Sequence, residues 1–119
     1  MLVNIVRWRI PKEDSSRQLE FWREVTDWQR AHPEKVSFTR SRFFTSSAEG
    51  SSEESWMFLD DYDRREDYDR WMTVVREDPE LMKLAQTWMP TWDALIVPGS
   101  KQGGVWTEVG SLTVEPTQP

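Results

Sequence analysis

The sequence predicts an α+β fold in which helices cover one face of a four-stranded antiparallel sheet. Three observations support this prediction: some segments have apolar runs or alternation typical of strands, others repeat apolar residues at helical spacing, and proline, glycine and polar clusters separate them. The predicted order of elements is β-α-β-β-α-α-β. At 119 residues, the chain is long enough for one domain with a core of its own.

The first strand is predicted over residues 1–10, and both of its faces are largely apolar. Val6 and Trp8 share one face with Asn4, which is the one polar residue there. A buried strand amide must find a hydrogen-bond partner, and this partner can be a ligand, a water molecule or a cross-strand hydroxyl such as Ser41. Asn4 is therefore a candidate site residue.

A capping box of Ser15 and Gln18 is predicted to start the first helix, after Pro11 ends the strand. The helix should end near His32, because the residue before a proline is displaced from the helical conformation. His32 is the only histidine. At a helix end it is expected to stabilise the C terminus rather than to act as a base or a metal ligand.

A second strand is predicted over residues 36–45, followed by an exposed hairpin loop over residues 46–54. Arg40 and Arg42 share one face of this strand, and they are candidates to clamp a carboxylate or a phenolate at the mouth of a cavity. The alternative is that they form surface ion pairs with the excess of acidic residues.

The third predicted strand, residues 56–59, runs into an acidic cluster of Asp60, Asp61 and Asp63. We interpret the cluster as turn and helix-capping residues, because acidic side chains complement the dipole at a helix N terminus. It lacks the glycine that a calcium-binding loop requires at its sixth position. Without any cysteine and with a single histidine, the chain is expected to bind no transition metal.

Two helices are predicted next, one capped by Asp63 with Glu66 and one starting at Asp78 and Pro79. Trp71 lies on the apolar stripe of the first of them, where spacing alone favours a core or cavity-wall position. The fourth strand is predicted over residues 92–97. The domain is then expected to span residues 1–98. Residues 99–119 are expected to form a tail that docks on this domain or on a partner subunit. Segments 105–109 and 112–114 of this tail are candidates for short edge strands.

Composition restricts the possible partners. The net charge of −6 argues against binding to nucleic acid or to an anionic membrane, since both require a basic surface. No segment has the roughly 20 apolar residues that span a bilayer, so a cytoplasmic location is expected. Eight tryptophans in so short a chain favour an aromatic-lined cavity or a self-association surface, and a tryptophan-rich core is the alternative.

The predicted order of elements corresponds to the βαββαβ, ferredoxin-like arrangement with one extra helix. Helices cover one sheet face. Trp8, Phe58 and Trp92 are expected to lie on the other sheet face, where they must be shielded from water. Two sheets packed face to face in a homodimer would shield them.

Several features together resemble the dimeric α/β-barrel superfamily: a first strand carrying Asn4, residues 56–60 leading into a helix with EDYDRW, and a further helix opened by DPE. This superfamily includes antibiotic-biosynthesis monooxygenases, haem-degrading monooxygenases, NIPSNAP-like proteins and small polyketide cyclases, and the resemblance covers residues 1–97. It implies that Asn4 and Trp71 match an asparagine and a tryptophan that line the cavity and assist oxygen chemistry. The haem-degrading members also use a helix histidine as iron ligand, whereas this sequence has Gln86 in that region, and we expect no cofactor.

The resulting hypothesis is a homodimeric α/β-barrel protein that acts on a small hydrophobic, aromatic or polyketide-like molecule as a cofactor-free monooxygenase or cyclase. Asn4 and Trp71 are the predicted catalytic residues, and the predicted substrate contacts are Trp8, Arg40, Arg42, Phe58 and Trp92. The alternative is a non-catalytic dimer that binds a small ligand or serves as an accessory unit, because no conventional acid, base or nucleophile constellation is present.

Overall fold

The computed structural model describes residues 1–116 and has the predicted α+β architecture. Its helices are α1 (Ser15–Ala31), α2 (Arg65–Glu77) and α3 (Pro79–Leu95), and its strands are β1 (Leu2–Pro11), β2 (Arg40–Ser46), β3 (Glu53–Tyr62) and β4 (Gln102–Thr107). The strands form one antiparallel sheet in the order β2-β3-β1-β4, which confirms the ferredoxin-like arrangement. Within the described residues, no helix combines the length and apolar character needed to cross a membrane.

The two faces of the sheet have different surroundings. Trp8 of β1 contacts Trp22 of α1 and Trp92 of α3, so the face that carries Trp8 lies against the helices. We call it the helix face, and strand register adds these residues to it: Asn4, Val6, Ser41, Phe43, Trp56, Phe58 and Asp60. The opposite, open face carries the alternate positions: Val3, Ile5, Arg40, Arg42, Phe44, Met57, Leu59, Asp61 and Trp106.

This assignment corrects the expected position of the aromatic residues. Trp8 and Phe58 lie on the helix face and Trp92 belongs to α3, so none of them lies on the open face of the sheet. Trp8 is 1% exposed and Trp92 is 6% exposed. Their apolar surface is buried within the chain itself, and a partner subunit is not needed to cover it.

The fourth strand lies later in the chain than predicted. Residues 92–95 continue α3, and β4 is formed by Gln102–Thr107, which pairs with β1. The helix extends past Pro90 because Trp88 and Trp92, four residues apart, are both buried on one side of α3. The segment predicted as a tail thus supplies an edge strand of the sheet. A 3₁₀ turn spans Gly110–Leu112, where a second edge strand was predicted. Residues 117–119 of the predicted tail lie outside the described part.

The predicted helix start at Asp78 is confirmed, because its carboxylate accepts a hydrogen bond from the backbone N–H of Leu81 at 2.9 Å and Pro79 occupies the first turn. The capping boxes predicted for α1 and α2 are absent: Asp14 and Arg64 precede these helices, and neither side chain makes a capping hydrogen bond. Burial explains the difference for α1, since Gln18 is turned inward and is 0% exposed.

The boundaries of β2 and β3 also differ from the prediction. β2 starts at Arg40 rather than at residue 36, and β3 extends to Tyr62, so that Asp60 and Asp61 are strand residues. Asp60 is 6% exposed and Asp61 is 3% exposed. Their interpretation as turn residues is therefore wrong, and each is retained in the sheet by a polar partner described below.

Candidate functional site

Aromatic rings fill the space between the helix face and helices α1 and α3. The Trp8 ring centroid lies 5.1 Å from that of Trp92, 5.5 Å from that of Trp22 and 6.0 Å from that of Phe58. Trp22 and Trp92 meet edge to face at 5.2 Å. These separations are typical of favourable aromatic packing, so the cluster is a rigid element of the structure.

Three of these tryptophans donate hydrogen bonds to one oxygen atom. The indole N–H groups of Trp8, Trp22 and Trp92 lie 2.8, 2.9 and 3.1 Å from Oε1 of Gln18. Gln18 is fully buried, and its Nε2 atom has no hydrogen-bond partner. We call Gln18 and these three tryptophans the indole cluster.

An apolar cleft of about 490 Å³ adjoins the indole cluster between α1, α3 and the sheet. Its volume is in the range of small-molecule sites. The residues that line it include Val6, Phe21, Trp22, Phe58, Trp88 and Trp92. Lys101 also lines the cleft, and its Nζ atom lies 4.5 Å from the centre of the Trp92 ring.

Gly103 forms part of the same cleft on strand β4. A Cβ atom at this position would lie 3.4 Å from Cγ2 of Val6. Glycine here therefore keeps the β4 side of the cleft free of a side chain.

A row of polar side chains crosses the helix face beside the cleft. Asp60 of β3 is paired with Asn4 of β1 on one side and with Ser41 of β2 on the other. Asn4 and Asp60 lie one same-face step from the cleft residues Val6 and Phe58, which corresponds to about 7 Å along a strand. We call Asn4, Asp60 and Ser41 the polar row.

Asp60 is the titratable member of this row. Burial raises the pKa of its carboxyl group to about 6, a hydrogen bond from Ser41 opposes this rise, and the neighbouring Asp61 adds to it. A carboxyl group with a pKa near neutrality can accept a proton from a substrate and release it again. Ser41 also lines a second cleft, of about 310 Å³, against the C-terminal half of α1.

The two predicted catalytic residues do not line the apolar cleft. Trp71 is buried on α2 and packs edge to face against Phe38, with ring centroids 5.5 Å apart. Phe38 in turn contacts Tyr62, which pairs with Leu2 at the end of the sheet. Asn4 is half-buried and lies between this end and the cleft, so it is closer to the candidate site than Trp71 is.

Of the predicted substrate contacts, Phe58 and Trp92 line the cleft and Trp8 lies against both of them. Arg40 and Arg42 lie on the open face instead. Their guanidinium groups bind the carboxylate of Asp61, with Arg40 Nε at 3.2 Å from Oδ2 and Arg42 Nη2 at 3.2 Å from Oδ1. They do clamp a carboxylate, but it belongs to the protein itself and lies on the other side of the sheet from the cleft.

His32 occupies the C-terminal cap of α1, as predicted. Its Nδ1 atom lies 2.7 Å from the Trp28 carbonyl oxygen, and its Nε2 atom lies 3.1 Å from a carboxylate oxygen of Glu80. Both ring nitrogens thus have partners within the helical layer. Across residues 1–116, no group of three or more histidine and acidic side chains is arranged to hold a metal ion.

Known structures resemble nearly the whole chain. A protein of Agrobacterium tumefaciens has a TM-score of 0.61 and 14% identity, and the match covers 90% of this chain and 92% of that protein. An antibiotic biosynthesis monooxygenase has a TM-score of 0.56 and 15% identity, with coverage of 92% and 99%. A cofactor-independent oxygenase of Streptomyces nogalater has a TM-score of 0.51 and 12% identity, with coverage of 93% and 95%.

The chain has the fold of these proteins. The ferredoxin-like fold that was predicted is thus confirmed, and pairing into a dimer stays a prediction. No protein-family model matches the sequence, and no curated protein matches it.

Sequence reasoning did not identify Gln18 or Asp60 as site residues. A signal was present for Gln18, because it precedes Phe21, Trp22 and Val25 at helical spacing and is the one polar residue on that apolar stripe. For Asp60 the signal was masked by Asp61 and Asp63, since three acidic residues in four positions are typical of a turn.

Proposed function

We propose that the protein binds a flat aromatic or polyketide-like molecule in the apolar cleft and oxidises it with dioxygen without a metal or an organic cofactor. The observation that carries this proposal is the position of the polar row, one same-face step from an aromatic-lined cleft. The fold shared with an antibiotic biosynthesis monooxygenase and a cofactor-independent oxygenase supports it.

The chemistry balances with the substrate as reductant. A ring methylene that is conjugated to a carbonyl through the adjoining aromatic rings loses two hydrogens, one atom of dioxygen enters as a new carbonyl oxygen, and the other leaves in water. The substrate reaches from the cleft to the polar row, where Asp60 accepts the first proton from the methylene and the amide of Asn4 donates a hydrogen bond to the oxygen that becomes negatively charged. In this scheme Trp71 is a core residue that packs against Phe38 and does not contact the substrate.

Oxygen uptake with an anthrone, a tricyclic ketone with one reactive methylene, tests the proposal. The wild-type protein should accelerate uptake, Asp60→Asn should lower the rate about 100-fold, and Asn4→Ala about tenfold, as is usual for loss of a general base and of one hydrogen bond. Asp63→Asn is the matched control, because Asp63 is an exposed carboxylate three residues away. A wild-type rate equal to that in buffer, or full activity of Asp60→Asn, contradicts the proposal.

The pH profile gives a second measurement. A general base must be ionised, so kcat/KM of the wild-type protein should rise with pH and level off above about 6, where the raised pKa of Asp60 lies. A profile that is flat between pH 5 and pH 7.5 would rule out Asp60 as the base.

A non-catalytic ligand-binding protein is the second candidate. It is favoured by one observation, the absence of both predicted catalytic residues, Asn4 and Trp71, from the cleft lining. Tight binding of the anthrone without any acceleration of oxygen uptake supports this candidate over the oxygenase.

We further propose that the protein is a homodimer formed through the open face. Phe44 is 46% exposed and Trp106 is 66% exposed on this face, and Val3, Ile5 and Leu59 lie beside them. Sedimentation equilibrium should give the mass of two chains. Leu59→Arg should give the mass of one chain, while Leu19→Arg on the exposed side of α1 should leave the dimer intact; a monomeric wild-type protein contradicts this arrangement.

A further inference from the structure

The indole cluster contains more hydrogen-bond donors than acceptors. Three indole N–H groups converge on Oε1 of Gln18, although a carbonyl oxygen has only two lone pairs. The amide nitrogen of Gln18 adds two further N–H groups, and it is buried without a partner. The indole cluster therefore has enough N–H donors to form hydrogen bonds with a second acceptor in addition to Oε1 of Gln18.

The orientation of the Gln18 amide is fixed by its surroundings. If the amide were flipped, its NH₂ group would face three N–H donors that cannot accept a hydrogen bond. Gln18 is fully buried, so water does not compensate for such a loss. The oxygen must face the indoles, and the excess of donors is a permanent property of the fold.

Two of the three indoles reach the apolar cleft. Trp22 and Trp92 both line it, whereas Trp8 lies beneath them. The hydrogen bond from Trp92 is the longest of the three, at 3.1 Å, and its ring also lies under the ammonium group of Lys101. Of the two indoles that line the cleft, Trp92 thus has the longer hydrogen bond to Gln18.

We propose that the indole cluster is a recognition subsite for an acceptor oxygen, so that the cleft selects aromatic ketones or phenolates over hydrocarbons of the same shape. The ligand oxygen shares the N–H group of Trp92 with Gln18, whose two lone pairs are matched by the N–H groups of Trp8 and Trp22. Lys101, at the same cleft, adds attraction for a phenolate. This inference rests on ligand binding in the cleft but does not require the oxidation chemistry.

Two bicyclic probes separate the subsite from general apolar binding: α-tetralone, which carries one carbonyl oxygen, and tetralin, which lacks it. Their dissociation constants can be measured by NMR titration of the labelled full-length protein. Trp92→Phe should weaken tetralone binding about tenfold, as expected for one hydrogen bond, and should change tetralin binding less than about threefold.

Trp88→Phe is the matched control. Trp88 belongs to the same helix and lines the same cleft, and Gln18 is not among its hydrogen-bond partners. Its replacement should change the affinities for both probes by the same factor. In the wild-type protein, tetralone should also shift the indole N–H resonance of Trp92 more than tetralin does, and this readout does not depend on the folding of any variant.

The outcomes are distinguishable. If both probes bind, but Trp92→Phe weakens both equally and neither probe selectively shifts the Trp92 indole signal, the recognition subsite is disproved while the binding cleft stands. If neither probe binds the wild-type protein, the cleft is not a ligand site, and both the proposed function and this inference are overturned.

Discussion

Asp60 and Asp61 are adjacent in the chain, equally buried, and chemically different. Asp61 faces the open side of the sheet, where it binds the guanidinium groups of Arg40 and Arg42. Asp60 faces the helices, where Ser41 donates a hydrogen bond to it and burial raises its pKa to about 6. The alternation of a β-strand sends one carboxylate to each face, and each face supplies a different partner.

This difference distinguishes a structural carboxylate from a candidate functional one. Asp61 forms ion pairs that contribute to the fold, whereas the pKa of the Asp60 carboxyl group is raised towards neutrality, where it can exchange protons. The same contrast extends to the two faces as a whole. The helix face has the cleft and the polar row, and the open face has ion pairs and exposed apolar side chains.

The largest expected effect comes from the helix face. Gln18→Ala leaves three indole N–H groups, two of them buried, without their acceptor, so the free energy of unfolding should fall by about 4 kcal/mol. Urea denaturation measures the change. Gln29→Ala, on the same helix at a half-buried position, is the control, and its free energy of unfolding should fall by less than about 1 kcal/mol. Equal losses in the two variants would show that the hydrogen bonds of the indole cluster do not stabilise the fold.

An intermediate effect is expected from Asp60, and it depends on pH. Because the folded pKa lies above the ordinary value of 3.8, the folded state binds the proton more tightly, and stability is lost as pH rises from about 4 through about 6. Asp60→Asn should remove this loss, so its free energy of unfolding at pH 8 should exceed that of the wild-type protein by about 3 kcal/mol. At pH 4 the two free energies should differ little.

The comparison of Asp60→Asn with the wild-type protein at each pH cancels the titration of other groups. Asp60 faces Asn4 and Ser41 across the strands, Asp61 is the next residue in the chain, and Tyr62 is the next residue on the same face. If the two proteins differ by the same amount at pH 4 and at pH 8, Asp60 does not titrate in this range.

The smallest effect is expected on the open face. Asp61→Ala removes the partner of Arg40 and Arg42, but these arginines are partly exposed and can turn to water, so the loss should be about 2 kcal/mol. Thermal unfolding in low salt measures it, with the exposed Asp63→Ala as control. A loss larger than that of Gln18→Ala would reverse the ranking of the two faces.

Local sequence signals predicted much of the fold. The apolar periodicity of α1 and α2, the Asp78–Pro79 helix start and the polar loop between β2 and β3 are all present. Each depends on interactions within a few residues, so a short window contains the information. The fourth strand was misplaced because residues 92–97 are apolar enough for either a strand or a helix, and only the burial of Trp92 with Trp88 decides between them.

The candidate site was predicted only in part. Phe58 and Trp92 line the cleft, but their role as ligand contacts remains a prediction, as do the roles of Asn4 and Trp71. Arg40 and Arg42 were assigned to a cavity because a strand pattern shows which residues share a face but not which face the helices cover. The sequence predicts a cap at Gln18 because a short window holds the capping pattern but not its indole partners on β1 and α3, the farther of which is 74 residues away.

The sequence by itself determined the α+β class, the start of α3 at Asp78 and Pro79, and an excess of tryptophan most of which is buried. Only the tertiary structure decided that three of those tryptophans share one glutamine oxygen, and that adjacent aspartates have opposite roles. The physical reason is that propensity and capping act over one or two helical turns. Hydrogen-bond partners, burial and pKa depend on which strands and helices meet, and that is settled only when the chain is folded.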